Sequence, residues 1–549
     1  MNAATLLVQC LEHEGVRVIF GVPGEETLAL TDALLDARIQ VVATRHEQGA
    51  AFMADVYGRL SGRAGVCFST LGPGATNLLT GVADAYLDHA PLVAITGQAS
   101  LNRRHKEWHQ SIDVMAMFKP VTKWNTSIPR ADVVPEALRK AFKIAQTEKP
   151  GATHVELPED VAEQSITDEA GLRPLLVQAP VMPEPAPSQV QRAVQAVSAA
   201  KRPVILAGNG VIRGKASDAL RKFARMFHIP VLHTFMAKGV MPDSDPLSLH
   251  TLGLAARDYA AMVVEQADVV LAVGYDVVEY APCFWNPRRD KRIVHVDTLP
   301  AEVDEHYIVD VGVVGDLRLS LPLIQERLSG FDSSSWASQA RKTVGDGLEA
   351  EEAGPLSWPL RPQHIMRELR PVLRQDDVVV CDVGAHKLWM ARMFPCETPN
   401  SCIISNGFAA MGIAVPGAIA AKLLYPERRI VAVTGDGGFL MNSQELETAV
   451  RLKLPIVVLI WRDNGYGVIR WKQQVRYGRT SSVDFGNPDF VRYAESFGAA
   501  GYRVTEPGEL RPILEQALQR DVPAVIDCPV DVGENLRLTQ RLQALPHAQ

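Results

Sequence analysis

The sequence predicts three doubly wound α/β domains, each built on a parallel β-sheet. Short apolar, β-branched runs alternate with longer helical patterns along all 549 residues. Two stretches rich in proline, glycine or serine divide the chain, and several of the apolar runs end in glycine-rich turns. Continuous apolar runs bounded by glycine or proline are typical of strands that helices cover on both faces of a parallel sheet.

The predicted strands fall into three groups along the chain. In order they are Val41–Ala43, Gly65–Ser69 and Leu92–Thr96, then Pro203–Ala207, Val269–Val273 and Arg292–Val296, and finally Asp377–Cys381, Arg429–Val433 and Pro455–Trp461. Ligands of such sheets bind beyond the carboxyl ends of the strands. The turns that follow the strands are therefore the first places to look for a site.

Two predicted linkers separate these groups. Gln178–Gln189 carries repeated prolines, which favour an extended path, and Gly330–Pro362 carries a serine run, two glycines and several prolines. They predict an N-terminal domain over 1–178, a central Rossmann-like domain over 190–330 and a C-terminal domain over 362–549. Each is close to the usual domain size of about 100–200 residues.

Composition excludes several classes of protein. A net charge of −7 shows no basic excess, which argues against nucleic acid as a partner but allows a local basic pocket for a small anion. Apolar runs such as Ile456–Trp461 are far shorter than the roughly 20 residues of a membrane span. The seven irregularly spaced cysteines form no CxxC pair, and Met1 is not followed by a signal-peptide pattern, so we expect free thiols in the cytoplasm.

The strongest chemical signal follows two predicted strands of the third domain. Gly435–Gly438 reads GDGG, and Asp463–Tyr466 reads DNGY. Glycines let the backbone approach a phosphate closely, and Asp436 and Asp463 supply the hard oxygen ligands that Mg²⁺ prefers. Because Asp-Gly and Asn-Gly pairs are also common in ordinary turns, GDGG alone is equally compatible with two unrelated turns.

Taken with their spacing, residues 435–464 resemble the diphosphate-and-metal signature of thiamine-diphosphate enzymes. An Asp stands here where that family has the first Asn of an NN-type pair, which keeps the oxygen ligand and adds a negative charge. The resemblance implies thiamine diphosphate and Mg²⁺ as cofactors, with the metal held by Asp436, Asp463 and the carbonyl of Gly465. Its implied cofactor contacts in these turns also include Gly437, Gly438, Tyr466, Gly467 and Val468.

Two more segments of the third domain resemble cofactor-binding parts of that family. Asp382–His386 resembles its other diphosphate loop, and Ser405–Gly412 resembles the segment that bends the cofactor. There Met411 would lie between the two rings, and the carbonyl of Ala409 would accept a hydrogen bond from the aminopyrimidine. The contacts implied in the diphosphate loop are Val383, Gly384, Ala385 and His386.

The first domain supplies the other half of the resemblance. Its turns GVPGEE (Gly21–Glu26), RHE (Arg45–Glu47) and LGPGATN (Leu71–Asn77) occur in the family's order. Alone, Glu47 is one of many carboxylates at helix starts. The resemblance makes it the base that binds the pyrimidine and lets the cofactor lose its C2 proton. The other implied contacts here are Pro23, Thr70 and Asn77.

The resemblance covers essentially the whole chain and narrows to acetolactate synthases, which join two pyruvate molecules into 2-acetolactate with loss of CO₂. His109–Asp113 and Pro120–Lys123 resemble their substrate-side stretch. By that match Gln110 would steer the reacting intermediate. Lys123 would favour an anionic substrate, a surface lysine without a role being the alternative.

The resemblance also bears on the acceptor and on flavin. Lys472 stands where the biosynthetic branch has a Trp that favours 2-ketobutyrate, so we expect pyruvate in both roles unless the neighbouring Trp471 turns into the pocket. The Gly208–Gly210 turn lacks the full dinucleotide-binding pattern. Together with a likeness of residues 273–286 to the catabolic, flavin-free branch, this predicts that FAD is not needed; a flavin phosphate on Arg213 or Arg257 is the alternative.

Glu47 and the metal carboxylates lie in different predicted domains. The resemblance implies that the complete site forms between two subunits, so we expect at least a homodimer, and a homotetramer as the assembly. Two other functions stay open: another thiamine-diphosphate 2-keto-acid decarboxylase or carboligase, and a catalytically silent cofactor-binding regulatory subunit.

Overall fold

Three parallel sheets of six strands each form the framework of the chain. The computed structural model describes residues 1–167, 172–178, 181–253, 257–352, 354 and 356–545. The predicted fold class is confirmed. All nine predicted strands are present, with ends that differ from the prediction by at most two residues.

The first sheet has the order β2-β1-β3-β4-β6-β5. Its strands are β1 Val18–Gly21, β2 Gln40–Ala43, β3 Gly65–Ser69, β4 Leu92–Gln98, β5 Trp124–Ser127 and β6 Ala152–Pro158. The helices around it are α1 Ala3–His13, α2 Leu28–Leu35, α3 Glu47–Ser61, α4 Pro73–Leu87, α5 Val114–Phe118, α6 Val134–Gln146 and α7 Glu159–Ala162. α3 begins directly after β2 and ends at Gly62, whose left-handed φ of 67° suits glycine.

The central sheet has the order β12-β11-β10-β7-β8-β9. Its strands are β7 Pro203–Ala207, β8 Val231–His233, β9 Ser248–Thr251, β10 Val269–Val273, β11 Arg292–Asp297 and β12 Val309–Val314. Its helices are α8 Pro187–Ser198, α9 Gly210–Arg213, α10 Ser217–Phe227, α11 Tyr259–Gln266, α12 Pro282–Trp285, α13 Leu317–Arg327 and α14 Ser334–Glu352.

The second predicted linker is wrong over most of its length, because α14 occupies 19 of its residues. Four buried side chains at helical spacing, Trp336, Ala337, Ala340 and Val344, hold this helix against the protein core. The Trp336 indole N–H also donates to the carbonyl of Pro203 at 2.9 Å. The first linker ends early, since α8 begins at Pro187. Residues 179, 180, 353 and 355 of the two linkers lie outside the described residues.

The third sheet has the order β14-β13-β15-β16-β18-β17. Its strands are β13 Val378–Cys381, β14 Cys402–Ile404, β15 Ile430–Gly435, β16 Val457–Arg462, β17 Ala500–Arg503 and β18 Ala524–Pro529. Its helices are α15 Pro362–Leu369, α16 Ala385–Met393, α17 Ala414–Leu424, α18 Asp436–Asn442, α19 Glu445–Arg451, α20 Gly467–Tyr477, α21 Phe490–Ser496, α22 Leu510–Ala517 and α23 Gly533–Gln543.

The first and third sheets share a hydrophobic core through α3 and α17. The two helices approach closely at Gly417, where an added Cβ would lie 2.8 Å from a methyl group of Val56. The loops at the carboxyl ends of the third sheet are thereby fixed against the first domain. None of the helices within the described part of the chain combines the length and the apolar character that crossing a membrane requires.

Candidate active site

An open cavity lies at the carboxyl ends of β13, β15, β16 and β18. These strands are neighbours in the sheet, so the turns that follow them meet at one edge. The cavity collects every cofactor contact that the sequence predicts in the third domain. These are Val383, Gly384, Ala385, His386, Ala409, Met411, Asp436, Gly437, Gly438, Asp463, Gly465, Tyr466, Gly467 and Val468.

Several other residues line the same cavity and were not predicted from the sequence. They include Pro362, Trp389, Trp461, Ile469, Asp531 and Asn535. Trp389 is fixed by a 2.8 Å hydrogen bond from its indole N–H to the side-chain oxygen of Asn535. The sequence could have indicated Asp531. This residue comes shortly after β18 and therefore lies at the same sheet edge as Asp436 and Asp463.

Asp436 and Asp463 form a pair of carboxylates inside this cavity. Burial and the charge of Asp436 raise the pKa of Asp463 to about 7. Asp436 accepts hydrogen bonds from the backbone N–H of Asn464 at 2.6 Å and from the amide of Asn487 at 2.8 Å. The nearest cation to Asp463 is Arg470, 3.8 Å from its carboxylate. The Arg470 ion pair is long, and two adjacent buried acids of this kind suit a divalent metal ion.

A metal ion at this pair would need ligands other than side chains. Within the described residues, no group of three His, Cys, Asp or Glu side chains could hold a metal ion. Mg²⁺ commonly binds one or two carboxylates and completes its octahedron with phosphate oxygens and water. Two aspartates, with the carbonyl of Gly465 as the implied third oxygen, match that pattern. The donor atoms therefore fit a magnesium ion that bridges to a diphosphate.

The walls beside the two aspartates suit a diphosphate. α16 and α20 begin at the cavity, and the first N–H groups of a helix have no intrahelical acceptor and attract anions. Gly467 has no room for a Cβ, which would strike the carboxylate of Asp463. Nε2 of His386 is buried without a hydrogen-bond partner in the described structure, and burial lowers the pKa of this imidazole to about 4. A molecule bound in the cavity would supply the hydrogen-bond partner that Nε2 of this neutral ring lacks.

The segment that carries Ala409 and Met411 lies along the cavity wall. Ala409 has a left-handed φ of 58°, and the following turn contains Gly412 at 94°. A non-glycine residue in that region carries strain that the surrounding contacts must hold. Both Ala409 and Met411 line the cavity, as expected for residues that contact the cofactor rings.

Glu47 lies in the first domain, at the start of α3, and is 9% exposed. The side-chain amide of Asn77 donates to its Oε2 at 2.9 Å. Glu445 of α19 accepts hydrogen bonds from the backbone N–H groups of Arg45 and His46, each at 3.1 Å. The third domain of the same chain thus fixes the turn that presents Glu47, a contact the sequence analysis missed.

The remaining predicted first-domain residues lie on turns that follow β1, β3 and β4. The hydroxyl of Thr70 donates to Glu26 at 2.5 Å, and Thr70 closely abuts Gly24, next to the exposed Pro23. The carbonyl of Gln110 packs on Gly72, which leaves no room for a Cβ at that glycine. The predicted first-domain residues Pro23, Glu47, Thr70, Asn77 and Gln110 therefore lie on neighbouring turns.

Lys123 has a structural environment that differs from the expected one. Its ammonium donates to the carbonyls of Ile144, Thr147 and Lys149 at 2.6–2.7 Å. Burial lowers the pKa of this amine to about 8. Its three donors are therefore all used near the C-terminal end of α6, which leaves none for an anionic substrate. This geometry does not support the electrostatic role expected of Lys123.

The two groups of predicted residues do not meet in one cavity of the single chain. The described residues that line the cavity all belong to the range 362–535, and none comes from the first domain. The residues predicted to hold a metal and a diphosphate therefore all lie in the third domain. The residues predicted to contact a pyrimidine, Glu47 and Asn77 among them, lie mainly in the first domain.

Three family models match the chain in the order of its sheets. The N-terminal thiamine pyrophosphate-binding domain of thiamine pyrophosphate enzymes matches residues 1–117, their central domain matches 190–324, and their C-terminal thiamine pyrophosphate-binding domain matches 382–528.

Curated relatives match nearly the whole chain. The acetolactate synthase of Bacillus subtilis is 39% identical over 541 residues, which cover 98% of this chain and 94% of that protein. The catabolic acetolactate synthase of Raoultella terrigena is 36% identical, with 98% and 97% covered. The acetolactate synthase of Mycobacterium bovis is 34% identical, with 96% and 87% covered.

Proposed function

The chain belongs to the acetolactate synthase family of thiamine pyrophosphate enzymes, and from this premise we propose that it converts two pyruvate molecules into 2-acetolactate and CO₂. The positions of the predicted residues in the first and third domains are the main support for this proposal. A single cavity collects all the cofactor contacts expected of the third domain, and the first domain holds Glu47 in contact with Asn77. An intact base and two intact metal carboxylates argue against a silent regulatory subunit.

Each half of the site has a task in this reaction. Thiamine diphosphate, when bound, supplies a carbon nucleophile that takes up the electrons released as CO₂ leaves. Asp436 and Asp463 would hold Mg²⁺ when it is bound, and the N–H groups at the starts of α16 and α20 would donate to the oxygens of the diphosphate. Glu47 holds a proton at the pyrimidine N1′, which is general acid–base catalysis relayed through the cofactor.

The complete site is proposed to form between two subunits. The support is that the two groups of predicted residues are separate within one chain. The cavity is lined by residues 362–535, whereas the Glu47 group lies on turns of the first domain. A second chain would bring its first domain over the open cavity, so that a homodimer is the smallest active unit and a homotetramer its pairing. Gln110 of the first domain would then face the reacting carbons.

We further propose that the central domain works without flavin. The Glu279 carboxylate accepts hydrogen bonds from the backbone N–H of Asn209 at 3.0 Å and from the Thr234 hydroxyl. It thus fills the anion-binding position of the Gly208–Gly210 turn, where a dinucleotide phosphate would lie. Tyr275 and Trp285 are buried, and the Trp285 indole N–H donates to the Tyr275 hydroxyl at 3.1 Å.

Each arginine that offered an alternative phosphate site is paired with a carboxylate. Arg213 pairs with Glu148 at 2.5 Å, and Arg257 pairs with Glu265 at 2.9 Å. Protein purified without added flavin should be colourless, and its activity should not rise when FAD is supplied. A yellow preparation, or activity that grows with FAD, would contradict this part of the proposal.

The compartment is also a proposal. All seven cysteines are free thiols in the structure, and six of them are buried. Free thiols are typical of reducing compartments, which supports the cytoplasm as the place where the protein works.

The stoichiometry of the reaction tests the proposed function. With pyruvate, thiamine diphosphate and Mg²⁺, the purified protein should consume two pyruvate molecules for each CO₂ released. A simple decarboxylase would consume one. No pyruvate consumption by the fully supplied protein would remove the enzyme proposal altogether, and a ratio of one would move the chain to the decarboxylases.

A further inference from the structure

Three buried aspartates lie beneath the loop that carries Ala409 and Met411. They are Asp55 on α3, Asp84 on α4 and Asp88, which directly follows α4, and each is 0% exposed. The loop runs from β14 to α17 in the third domain, so these contacts join the first domain to the wall of the cofactor cavity. Neither the metal site nor the Glu47 group uses these acids.

Two of the aspartates bond the loop on both sides of Ala409. Oδ1 of Asp84 accepts from the hydroxyl of Ser405 at 2.9 Å and from the backbone N–H of Ala410 at 3.1 Å. Asp88 accepts from the backbone N–H of Gly407 at 2.5 Å. A Cβ at Gly407 would lie 2.8 Å from Asp88. This close fit holds the strained backbone of Ala409 in place.

The remaining carboxylate oxygens have no donor. Both oxygens of Asp55 and Oδ2 of Asp84 are buried without a hydrogen-bond partner in the described structure. The two carboxyl groups are nevertheless within hydrogen-bonding reach of each other. Two ionised carboxylates cannot bond to each other, and two such charges in contact are costly in a buried site. One proton between them turns the contact into an O–H···O⁻ hydrogen bond, which is among the stronger kinds.

The surrounding charges indicate where that proton lies. Arg59 pairs with Asp88 at 2.9 Å. Lys387, whose ammonium donates to the Ser405 carbonyl at 2.9 Å, is the second cation near the cluster. The positive charges of these two side chains neutralise the negative charges of two of the three aspartates. Asp84 accepts both bonds from the loop at Oδ1, which favours its ionised form, so we assign the proton to Asp55.

We propose that Asp55 and Asp84 share one proton in the folded protein and together position the Ser405–Met411 loop for the cofactor. They act through the loop and are positioning residues. Burial, followed by the charge of the partner acid, raises the pKa of Asp55 well above its usual range, and burial with the charge of Asp88 raises the pKa of Asp84 to about 7. The link to the cofactor rests on the proposed function, whereas the shared proton does not.

The shared proton has a measurable effect on stability. An unfolded aspartic acid loses its proton near pH 4, whereas the folded pair retains one at higher pH. The folded state therefore binds more protons than the unfolded state above pH 4, and stability falls as the pH rises toward the folded pKa. In Asp55→Asn the amide can donate to Asp84 and does not titrate. The fall in stability with rising pH that the shared proton causes should therefore disappear.

The test compares melting temperatures of wild type and Asp55→Asn without substrate or cofactor. The melting temperature of Asp55→Asn minus that of the wild type should be larger at pH 8 than at pH 5.5, by about 2 °C or more. If Asp55→Asn does not fold, Asp84→Asn must show the same flattened pH dependence, because it also removes the titrating pair. Parallel curves for wild type and the folded variant would overturn the shared proton.

A second measurement tests the positioning role. Asp84→Ala removes both loop bonds and should raise the KM for thiamine diphosphate by about 10-fold or more, as expected for the loss of buried hydrogen bonds. Asp84→Asn, which keeps an acceptor, should restore most of the affinity. An unchanged cofactor KM in Asp84→Ala would overturn the positioning role. Failure of the proposed function would be seen instead as absence of acetolactate from the wild type.

Discussion

The side-chain amide of Asn77 donates a hydrogen bond to Oε2 of Glu47 at 2.9 Å. This bond joins the LGPGATN turn to the start of α3 and leaves the other carboxylate oxygen of Glu47 for a ligand. The backbone before Glu47 is fixed in turn by the carboxylate of Glu445. The orientation of the proposed base is therefore set by contacts from two domains.

Glu47→Gln should keep the fold and the cofactor but lose turnover by about 10²–10⁴-fold, the usual contribution of a general acid–base residue. The amide keeps the size of the side chain and removes its proton-accepting capacity. Hydrogen–deuterium exchange at C2 of bound thiamine diphosphate gives the direct measurement. Glu136→Gln, on the exposed face of α6, is the matched control. Exchange at the wild-type rate in Glu47→Gln would show that another group activates the cofactor.

Asp436→Ala and Asp463→Ala should each abolish Mg²⁺-dependent binding of thiamine diphosphate, because the diphosphate then lacks its cation bridge. Thermal stabilisation measures this binding, since a ligand at 100 times its Kd stabilises the native state by about 2.7 kcal/mol. Asp521→Ala, an exposed carboxylate away from the cavity, should keep the full shift. Undiminished stabilisation in both cavity variants would make the two residues ordinary turn aspartates.

The affinity for Mg²⁺ should rise between pH 6 and pH 8. Burial and Asp436 raise the pKa of Asp463 to about 7 in the metal-free protein, so a proton competes with the metal below that pH. Raising the pH removes the competitor and strengthens binding. Titrations of Mg²⁺ at fixed thiamine diphosphate measure the trend, and an affinity that is flat or falling across this range would contradict it.

Much of the fold was predictable because most of its strands are continuous apolar runs buried on both faces, as in Val269–Val273. α14 was missed because serines and two glycines interrupt it, although Trp336, Ala340 and Val344 recur at helical spacing. Local patterns predict elements well where apolar residues dominate, and poorly where a few side chains anchor a polar helix.

The candidate site was predictable to the extent that its residues lie in contiguous turns after strands. Contacts between domains could not be predicted, since nothing in the sequence shows that Asp84 meets a loop more than 300 residues away. A hint was present in α4, whose one charged residue is Asp84. Lys123 illustrates the converse, because its partners are backbone carbonyls that no side-chain pattern reveals.

Lys123→Met should lower the free energy of unfolding by about 1–2 kcal/mol, since three backbone carbonyls lose their charged donor. The KM for pyruvate should stay within twofold of wild type. Denaturant unfolding and steady-state kinetics separate the two effects. A large rise in the KM for pyruvate with unchanged stability would restore the substrate role that the sequence suggested.

Lys472→Trp should shift acceptor preference toward 2-ketobutyrate. Lys472 is exposed on α20, the helix that begins at the cavity. Trp471 beside it is held by a 2.7 Å hydrogen bond to Thr539 of α23, so Trp471→Phe is the control that should leave the preference unchanged. Competition between pyruvate and 2-ketobutyrate gives the product ratio. An unaltered ratio in Lys472→Trp would mean that other residues form the acceptor pocket.

The identity of the product distinguishes acetolactate synthesis from simple decarboxylation. The purified protein is supplied with ¹³C-labelled pyruvate, thiamine diphosphate and Mg²⁺, and the products are followed by NMR, with Glu47→Gln as the inactive reference. We expect 2-acetolactate, with carbons from two pyruvate molecules, as the principal product of the wild type. Accumulation of acetaldehyde in place of acetolactate would contradict it.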